Sequence, residues 1–299
     1  MKYIIDTDPG YDDAMAIMLA VKAGLDVIAL TTVCGNSTIN NITNNANHVL
    51  KLLDKSNIPI FSGASKPMKN ELTEAVVHGE NGFGGVNVNE TLELSNNAVE
   101  KILFLIEENE EISLIALGPL TNIANAILKN PKTMSKLKEL IIMGGAVKVP
   151  GNQSKVAEFN IFTDPEAAKI VFDSDIKKTL IPLDVCNKIQ LKIEDFDQIK
   201  GELKEFLKLI ASSYIHFLEK DEGVKSAIMY DPVAVYYCIN PDSCKSEDLN
   251  LFVETKDSLN RGMTNIKSIK NKMGKPNFKV VFDMDLNQFK TDFIKFLSD

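Results

Sequence analysis

Cysteine is sparse in this chain of 299 residues: Cys34, Cys186, Cys238 and Cys244 are scattered, with no C-x-x-C pair among them. That spacing argues against the usual zinc and disulfide frameworks, and all four are expected to be reduced, small apolar side chains. Basic charge is short too. Lys+Arg total 33 against 41 Asp+Glu, a net charge of −8, so the clustered positive charge on which nucleic-acid affinity rests is missing. No apolar run approaches the roughly 20 residues that a membrane-spanning helix needs. The first residues lack a basic segment, an apolar segment and a small-residue cleavage site, which makes the cytoplasm the expected compartment. Neither nucleic acid nor membrane is an expected partner. No linker, low-complexity tract or internal repeat divides the sequence, and one domain over residues 1–299 is expected.

Acid, by contrast, is concentrated at one place. Residues 1–14 read MKYIIDTDPGYDDA, and Asp6, Asp8, Asp12 and Asp13 fall within eight positions around Pro9-Gly10. The apolar run Tyr3-Ile4-Ile5 before them predicts a strand. The stretch Ala14–Ala23 after them, with Met15, Met18 and Leu19 at helical spacing, predicts an amphipathic helix. The acids therefore sit where a strand turns into a helix, the edge at which open parallel α/β sheets bind ligands. Like charges this close repel strongly, and a divalent cation with oxygen ligands is the simplest neutraliser. A plainer reading assigns Asp12 and Asp13 to the helix dipole and Asp8 to the turn. It accounts for two acids comfortably and for four poorly.

The rest of the chain alternates. Val27–Val33, Ile58–Phe61, Ile112–Leu117, Leu140–Met143, Thr179–Leu183, Leu251–Glu254 and Phe278–Phe282 predict strands. Ile39–Leu53, Ala98–Glu108, Pro119–Lys129, Pro165–Phe172 (with Asp164 as N-cap), Glu202–Leu218, Pro232–Cys238 and Leu286–Leu297 predict helices. Between Ala64 and Asn97 the periodicity fails, and a long surface loop is expected there. The pattern predicts an α/β fold, an open and mostly parallel sheet flanked by helices. Asp8, Asn36, Thr121-Asn122, Gly144-Gly145 and Asp184 each follow a predicted strand, so such a sheet would gather them along one edge.

With these residues in place, the sequence resembles the inosine-uridine-preferring nucleoside hydrolases, a family of calcium-dependent N-ribosidases. Asp6-Thr7-Asp8-Pro9-Gly10-Tyr11-Asp12-Asp13-Ala14 matches that family's signature D-x-D-P-G-x-D-D-A. Matches continue in family order through Gly35-Asn36, Asn45-Ala46, His78-Gly79, Leu117–Asn122, Met143–Gly145 and Gly151-Asn152. They run on through Ala157–Asn160, Asp164–Ala167, Asp231-Pro232 and Arg261-Gly262. The resemblance implies a Rossmann-like sheet in one domain, assembled as a homodimer or homotetramer. It also implies a ribonucleoside substrate cleaved to free base and ribose, and Ca2+ as cofactor. Asp8 would be both a calcium ligand and the general base toward a calcium-bound water, with Asp13, the Thr121 carbonyl and Asp231 completing the protein ligands. Asp12 would bind the ribose hydroxyls. Asn36, Asn152, Glu158 and Asn160 would hold the rest of the sugar, with Met143 packed near it.

These residue types suit the chemistry, since breaking a ribosyl C–N bond builds positive charge at C1′ that carboxylates and amide oxygens stabilise. Each also has a structural reading. Asn36 and Asn152 follow glycine and fit turns; Glu158 and Asn160 fit the exposed face of a strand. Thr121 fits a first helical turn, Met143 the core, and His78 an ordinary loop.

Two departures bear on the base. Where purine-hydrolysing members of the family have His-Asp, this chain has Tyr230-Asp231, and a phenol that ordinarily titrates near about 10 is a weak proton donor at neutral pH. His78 or His216 could stand in for that histidine. The chain has no tryptophan, so members that sandwich a purine between indole rings are not its model. Two rival readings stand beside the hydrolase. A haloacid-dehalogenase-like phosphatase shares the Asp6-x-Asp8 pair, though Pro9-Gly10 replaces its usual Gly-Thr. A non-catalytic, calcium-dependent nucleoside or ribose sensor would keep the pocket and lose turnover through Tyr230.

Overall fold

The apolar runs become neighbouring strands in the computed structural model, which describes residues 1–72, 79, 81–84, 86, 88, 91–269, 272–273 and 275–298. The N-terminal part supplies β1 (Lys2–Thr7), α1 (Tyr11–Lys22), β2 (Asp26–Thr32), α2 (Ile39–Leu52) and β3 (Ile60–Ser62). The middle supplies α3 (Ala98–Glu107), β4 (Ile112–Ala116), α4 (Thr121–Lys129), α5 (Pro131–Met134), β5 (Glu139–Met143), α6 (Phe159–Thr163), α7 (Pro165–Asp173) and β6 (Lys178–Ile181). Then come α8 (Leu183–Cys186), β7 (Gln190–Leu191), α9 (Ile193–Phe196), α10 (Lys204–Glu222), β8 (Ala227–Ile228) and α11 (Tyr230–Ile239). The chain closes with β9 (Cys244–Leu249), β10 (Leu251–Val253), β11 (Thr264–Ile266), β12 (Ser268–Ile269), β13 (Lys272–Met273), β14 (Phe278–Met284) and α12 (Leu286–Phe296).

Eight strands form the central sheet in the order β3-β2-β1-β4-β5-β6-β14-β9. All neighbours are parallel except β14 and β9. Successive residues of β1 face opposite cores: Ile5 joins Met15, Ile141 and Val281 on one face, and Ile4 joins Leu114, Ile123 and Ile142 on the other. Helices cover both faces, which is why the central strands carry near-continuous apolar runs such as Ile4-Ile5 and Ile141-Ile142 instead of strict alternation. The strand order reverses between β1 and β4, and the crevice beyond their carboxyl ends is where such sheets hold ligands.

The structure corrects several boundaries. Glu158 and Asn160 do not lie on a strand. Glu158 caps α6, its side chain accepting from the N–H groups of Asn160 and Ile161, because a carboxylate preceding a helix satisfies donors that lack intrahelical partners. Helix α4 starts at Thr121, two residues after the predicted Pro119. Strand β6 ends at Ile181, and the residues that were to finish it form α8. Strand β9 was not predicted. It is an antiparallel edge strand with mostly exposed, polar residues, and so carries no apolar run to announce it. Between residues 63 and 97 the described residues form no helix or strand. His78 lies outside the described residues. No helix among the described residues is long and apolar enough to cross a membrane, and all four cysteines are free.

Candidate active site

The turn after β1 folds around Asp13. One of its carboxylate oxygens accepts the Thr7 hydroxyl at 2.5 Å and the Asp8 N–H at 3.2 Å; the other accepts the Gly10 N–H at 3.1 Å and the Asn36 amide at 3.2 Å. Pro9-Gly10 thus curls the chain back onto the first turn of α1, where a negative charge also meets the positive end of the helix. Asp8 points to the neighbouring strands. Its Oδ2 accepts the Asn36 N–H at 2.8 Å, and Asn36 Nδ2 returns to the Asp8 carbonyl at 3.0 Å. A Cβ on Gly35 would lie 2.0 Å from Asp8 Oδ2, and one on Gly118 2.5 Å from Oδ1. The glycines that follow β2 and β4 leave the space this carboxylate fills.

Helix α11 packs against α1 and brings Asp231 to the cluster. Carboxylate oxygens of Asp12, Asp13 and Asp231 all lie within 4.8 Å of one another, and all three residues are buried. Burial, and then the charge of Asp13, raises Asp8 and Asp231 well above the ordinary carboxylate range and pushes Asp12 up to about 8. Buried carboxylates that repel one another, with only oxygen to offer, form the donor set a hard divalent cation relieves. The residues fit a metal. This group of three contains Asp12 where the family resemblance would place Asp8, Asp12 and Asp13 being adjacent in the first turn of α1. Thr121, the first residue of α4, is buried, and its hydroxyl donates to Asp164 Oδ2 at 2.7 Å.

Across the crevice, Glu158 is fixed by three backbone donors: Gly145 and Ile161 on Oε2 at 2.9 and 3.1 Å, and Asn160 on Oε1 at 2.8 Å. Burial raises its carboxyl above the usual range while these bonds oppose the shift. Asn160 Nδ2 donates to the carbonyls of Leu117 at 2.6 Å and Met143 at 3.4 Å. It thereby ties together the carboxyl ends of β4 and β5, with Met143 buried beneath. Asn152 is exposed, and its Oδ1 accepts the Phe159 N–H at 3.0 Å, which joins it to the start of α6. Tyr230 is half-buried at the first position of α11, next to Asp231. His216 is exposed on α10.

Asp6, Asn45 and Asp184 carried no direct ligand role in the sequence reading. Asp6 is fully buried between Thr31 Oγ1 at 2.5 Å and Asn122 Nδ2 at 2.8 Å, with Oδ2 unpartnered, and burial pushes it up to about 7. Asn45 donates to the carbonyls of Pro9 at 3.0 Å and Asn81 at 2.8 Å, joining the acidic turn to the long loop. Asn45-Ala46 matches the family pattern, but nothing local in the sequence predicts so distant a partner. Asp184, expected along the site edge, instead accepts the N–H groups of Val147 and Lys148 at 2.9 and 2.7 Å and holds the loop after β5.

Residues 3–291 match the model of the family described as inosine-uridine preferring nucleoside hydrolase. The pyrimidine-specific ribonucleoside hydrolase RihA of Escherichia coli O1:K1 / APEC is 37% identical over 295 residues, covering 96% of this chain and 94% of the relative. Among solved structures, a plant nucleoside hydrolase, PpNRh1, superimposes with a TM-score of 0.93 at 29% identity, covering 99% of this chain and 98% of its own. The purine-preferring ribonucleoside hydrolase from Gardnerella vaginalis does so with a TM-score of 0.92 at 26% identity, over 100% of this chain and 98% of its own. Sequence and overall fold thus agree, and the chain belongs to the inosine-uridine preferring nucleoside hydrolase family.

Proposed function

We propose that this nucleosidase hydrolyses the N-glycosidic bond of ribonucleosides with Asp8 as general base and calcium held by Asp8, Asp13, Asp231 and the Thr121 carbonyl. The observation that carries this reading is the buried group of Asp12, Asp13 and Asp231, close enough to Asp8 and to Glu158 for their charges to act on it. The phosphatase alternative falls with the family assignment. When bound, calcium supplies a hard divalent charge with room for about six to eight oxygen ligands and makes water more acidic.

The remaining work belongs to side chains. Asp8, held through Oδ2 by the Asn36 N–H, takes a proton from the water that attacks C1′. The water oxygen bonds to C1′ as the C1′–N bond breaks, and the bond's electron pair leaves with the base. Asp12, Asn36, Asn152, Glu158 and Asn160 hold the sugar hydroxyls, Met143 packs beside the ring, and the carboxylates stabilise the developing positive charge. Tyr230 and His78 are the candidates for supplying a hydrogen bond or proton to the departing base. Tyrosine in place of histidine favours bases that leave without full protonation, and a pyrimidine-specific relative supports a pyrimidine preference. We further propose that residues 1–299 form one domain that assembles as a homodimer or homotetramer in the cytoplasm, checked by limited proteolysis, light scattering and cell fractionation.

The test is release of ribose from a panel of ribonucleosides with calcium present. Uridine or cytidine is expected to turn over fastest. Calcium-dependent binding with no ribose released at high protein concentration would replace the enzyme with a sensor.

A further inference from the structure

Arg261 is the single arginine in the chain, and the reaction above gives it no part. It stands in the loop between β10 and β11. Its guanidinium grips Glu166, in the first turn of α7, by two parallel bonds, Nη1 to Oε1 at 3.0 Å and Nη2 to Oε2 at 2.7 Å. Nη2 also donates to Asn70 Oδ1 at 2.8 Å, and Nη1 to the Thr255 carbonyl. Asn70 in turn donates to the carbonyl of Thr163, the last residue of α6, at 3.2 Å. With side chains only 21% and 14% exposed, the Arg261–Glu166 pair is shielded from the solvent that weakens surface ion pairs.

What this clasp secures is the sugar side of the site. Helix α6 has five residues, too few to be stable alone, so its position is set by its surroundings. The backbone after Arg261 lies against it: Gly262 has φ +80°, and a Cβ there would sit 3.1 Å from both Ala157 Cβ and Phe162 Cα. Thr264 Oγ1 would be 2.9 Å from a Cβ on Gly145, the residue whose N–H holds Glu158. On the far side, Asp164 Oδ2 accepts the Thr121 hydroxyl and the Met68 N–H, at 2.7 and 2.8 Å. We propose that Arg261 is a positioning residue for ribose recognition, clamping the β10–β11 loop onto the 157–166 segment that presents Glu158 and Asn160. The proposal rests on the reading that those two residues hold the sugar.

The experiment compares kcat/KM of the calcium-loaded protein for uridine and for its 2′-, 3′- and 5′-deoxy counterparts in wild type, Arg261→Gln, Arg261→Lys, Glu166→Gln and Glu158→Gln. A merely structural role would scale all four substrates together with the folded fraction. A positioning role lowers uridine turnover roughly 10- to 100-fold, as a misplacement on the order of 1 Å does. It also collapses discrimination at the same hydroxyl that Glu158→Gln affects. Lysine keeps the charge without the planar fork and is expected to restore stability more than discrimination. Glu166→Gln is expected to move the same ratio by less, and it serves if Arg261→Gln fails to fold. Variants that lose thermal stability but keep the wild-type ratios, or lose discrimination at a different hydroxyl, overturn the proposal. Absence of wild-type turnover overturns the functional reading and this inference together.

Discussion

Gly118 has no side chain because Asp8 occupies the space a methyl group would need. A Cβ there would stand 2.5 Å from Asp8 Oδ1 and 3.0 Å from Val33 Cγ1. The closest obstacle is the end of the very carboxylate proposed as the base, so Gly118→Ala is expected to move Asp8 before it unfolds the sheet. Turnover should fall by about 100-fold, the effect of a misplacement on the order of 1 Å. The melting temperature should change modestly, since one added methyl costs about 1–3 kcal/mol even in a packed interior. Parallel measurement of kcat and thermal melting checks this. A large loss of stability with kcat unchanged in the folded fraction would contradict it.

Asp8→Asn removes the proton acceptor and nearly preserves shape. The Asn36 N–H that now donates to Oδ2 at 2.8 Å can still donate to an amide oxygen. Turnover is expected to drop by about two to four orders of magnitude, the usual contribution of general-base catalysis, while nucleoside binding measured by calorimetry persists. Wild-type turnover in this variant would remove Asp8 as the base.

These two positions also show what a sequence can carry. Asp8 was legible because four acids on one strand–turn–helix segment are an electrostatic anomaly wherever the chain goes. The parallel sheet was legible because strands such as Ile112–Ala116 are buried along their whole length and are apolar at every position but Ser113. The partners that shape the site were not legible in the same way. Gly35 and Gly118 contact Asp8 only because β2 and β4 flank β1, and a glycine's reason for being glycine lies across the sheet. The cap role of Glu158 was hidden because a five-residue helix leaves too few turns for periodicity to register. Strand β9 escaped because an exposed edge imposes no apolar pattern.

Tyr230 offers a direct test of leaving-group chemistry. It sits at the first position of α11, beside the buried Asp231, where purine-hydrolysing members of the family have histidine. Imidazole titrates near about 6.5 and phenol near about 10, so Tyr230→His places an effective proton donor at that position at neutral pH. The variant is expected to raise kcat/KM for inosine relative to uridine by about tenfold or more, within the range of general-acid contributions. An unchanged ratio would show that Tyr230 does not face the departing base.

The acid cluster makes stability depend on pH in an unusual direction when metal is withheld. Burial raises the folded-state titration of Asp12 to about 8, of Asp6 to about 7, and of Asp8 and Asp231 well above the ordinary range. In the unfolded chain the same groups titrate near about 4. Between those limits the folded protein binds more protons than the unfolded chain, so the chelator-treated protein should lose stability as pH rises from about 4 to 8. The slope is at most about 1.4 kcal/mol per pH unit for each such group. Calcium, the ion proposed for this cluster, would compete with those protons, so the stabilisation it gives should be larger at pH 8 than at pH 5. Melting curves with chelator and with calcium at several pH values measure both slopes. Asp231→Asn should flatten the chelator series and shrink the calcium shift together, because one carboxylate contributes to both. A chelated protein as stable at pH 8 as at pH 5 would mean that the cluster is neutralised by something other than a metal.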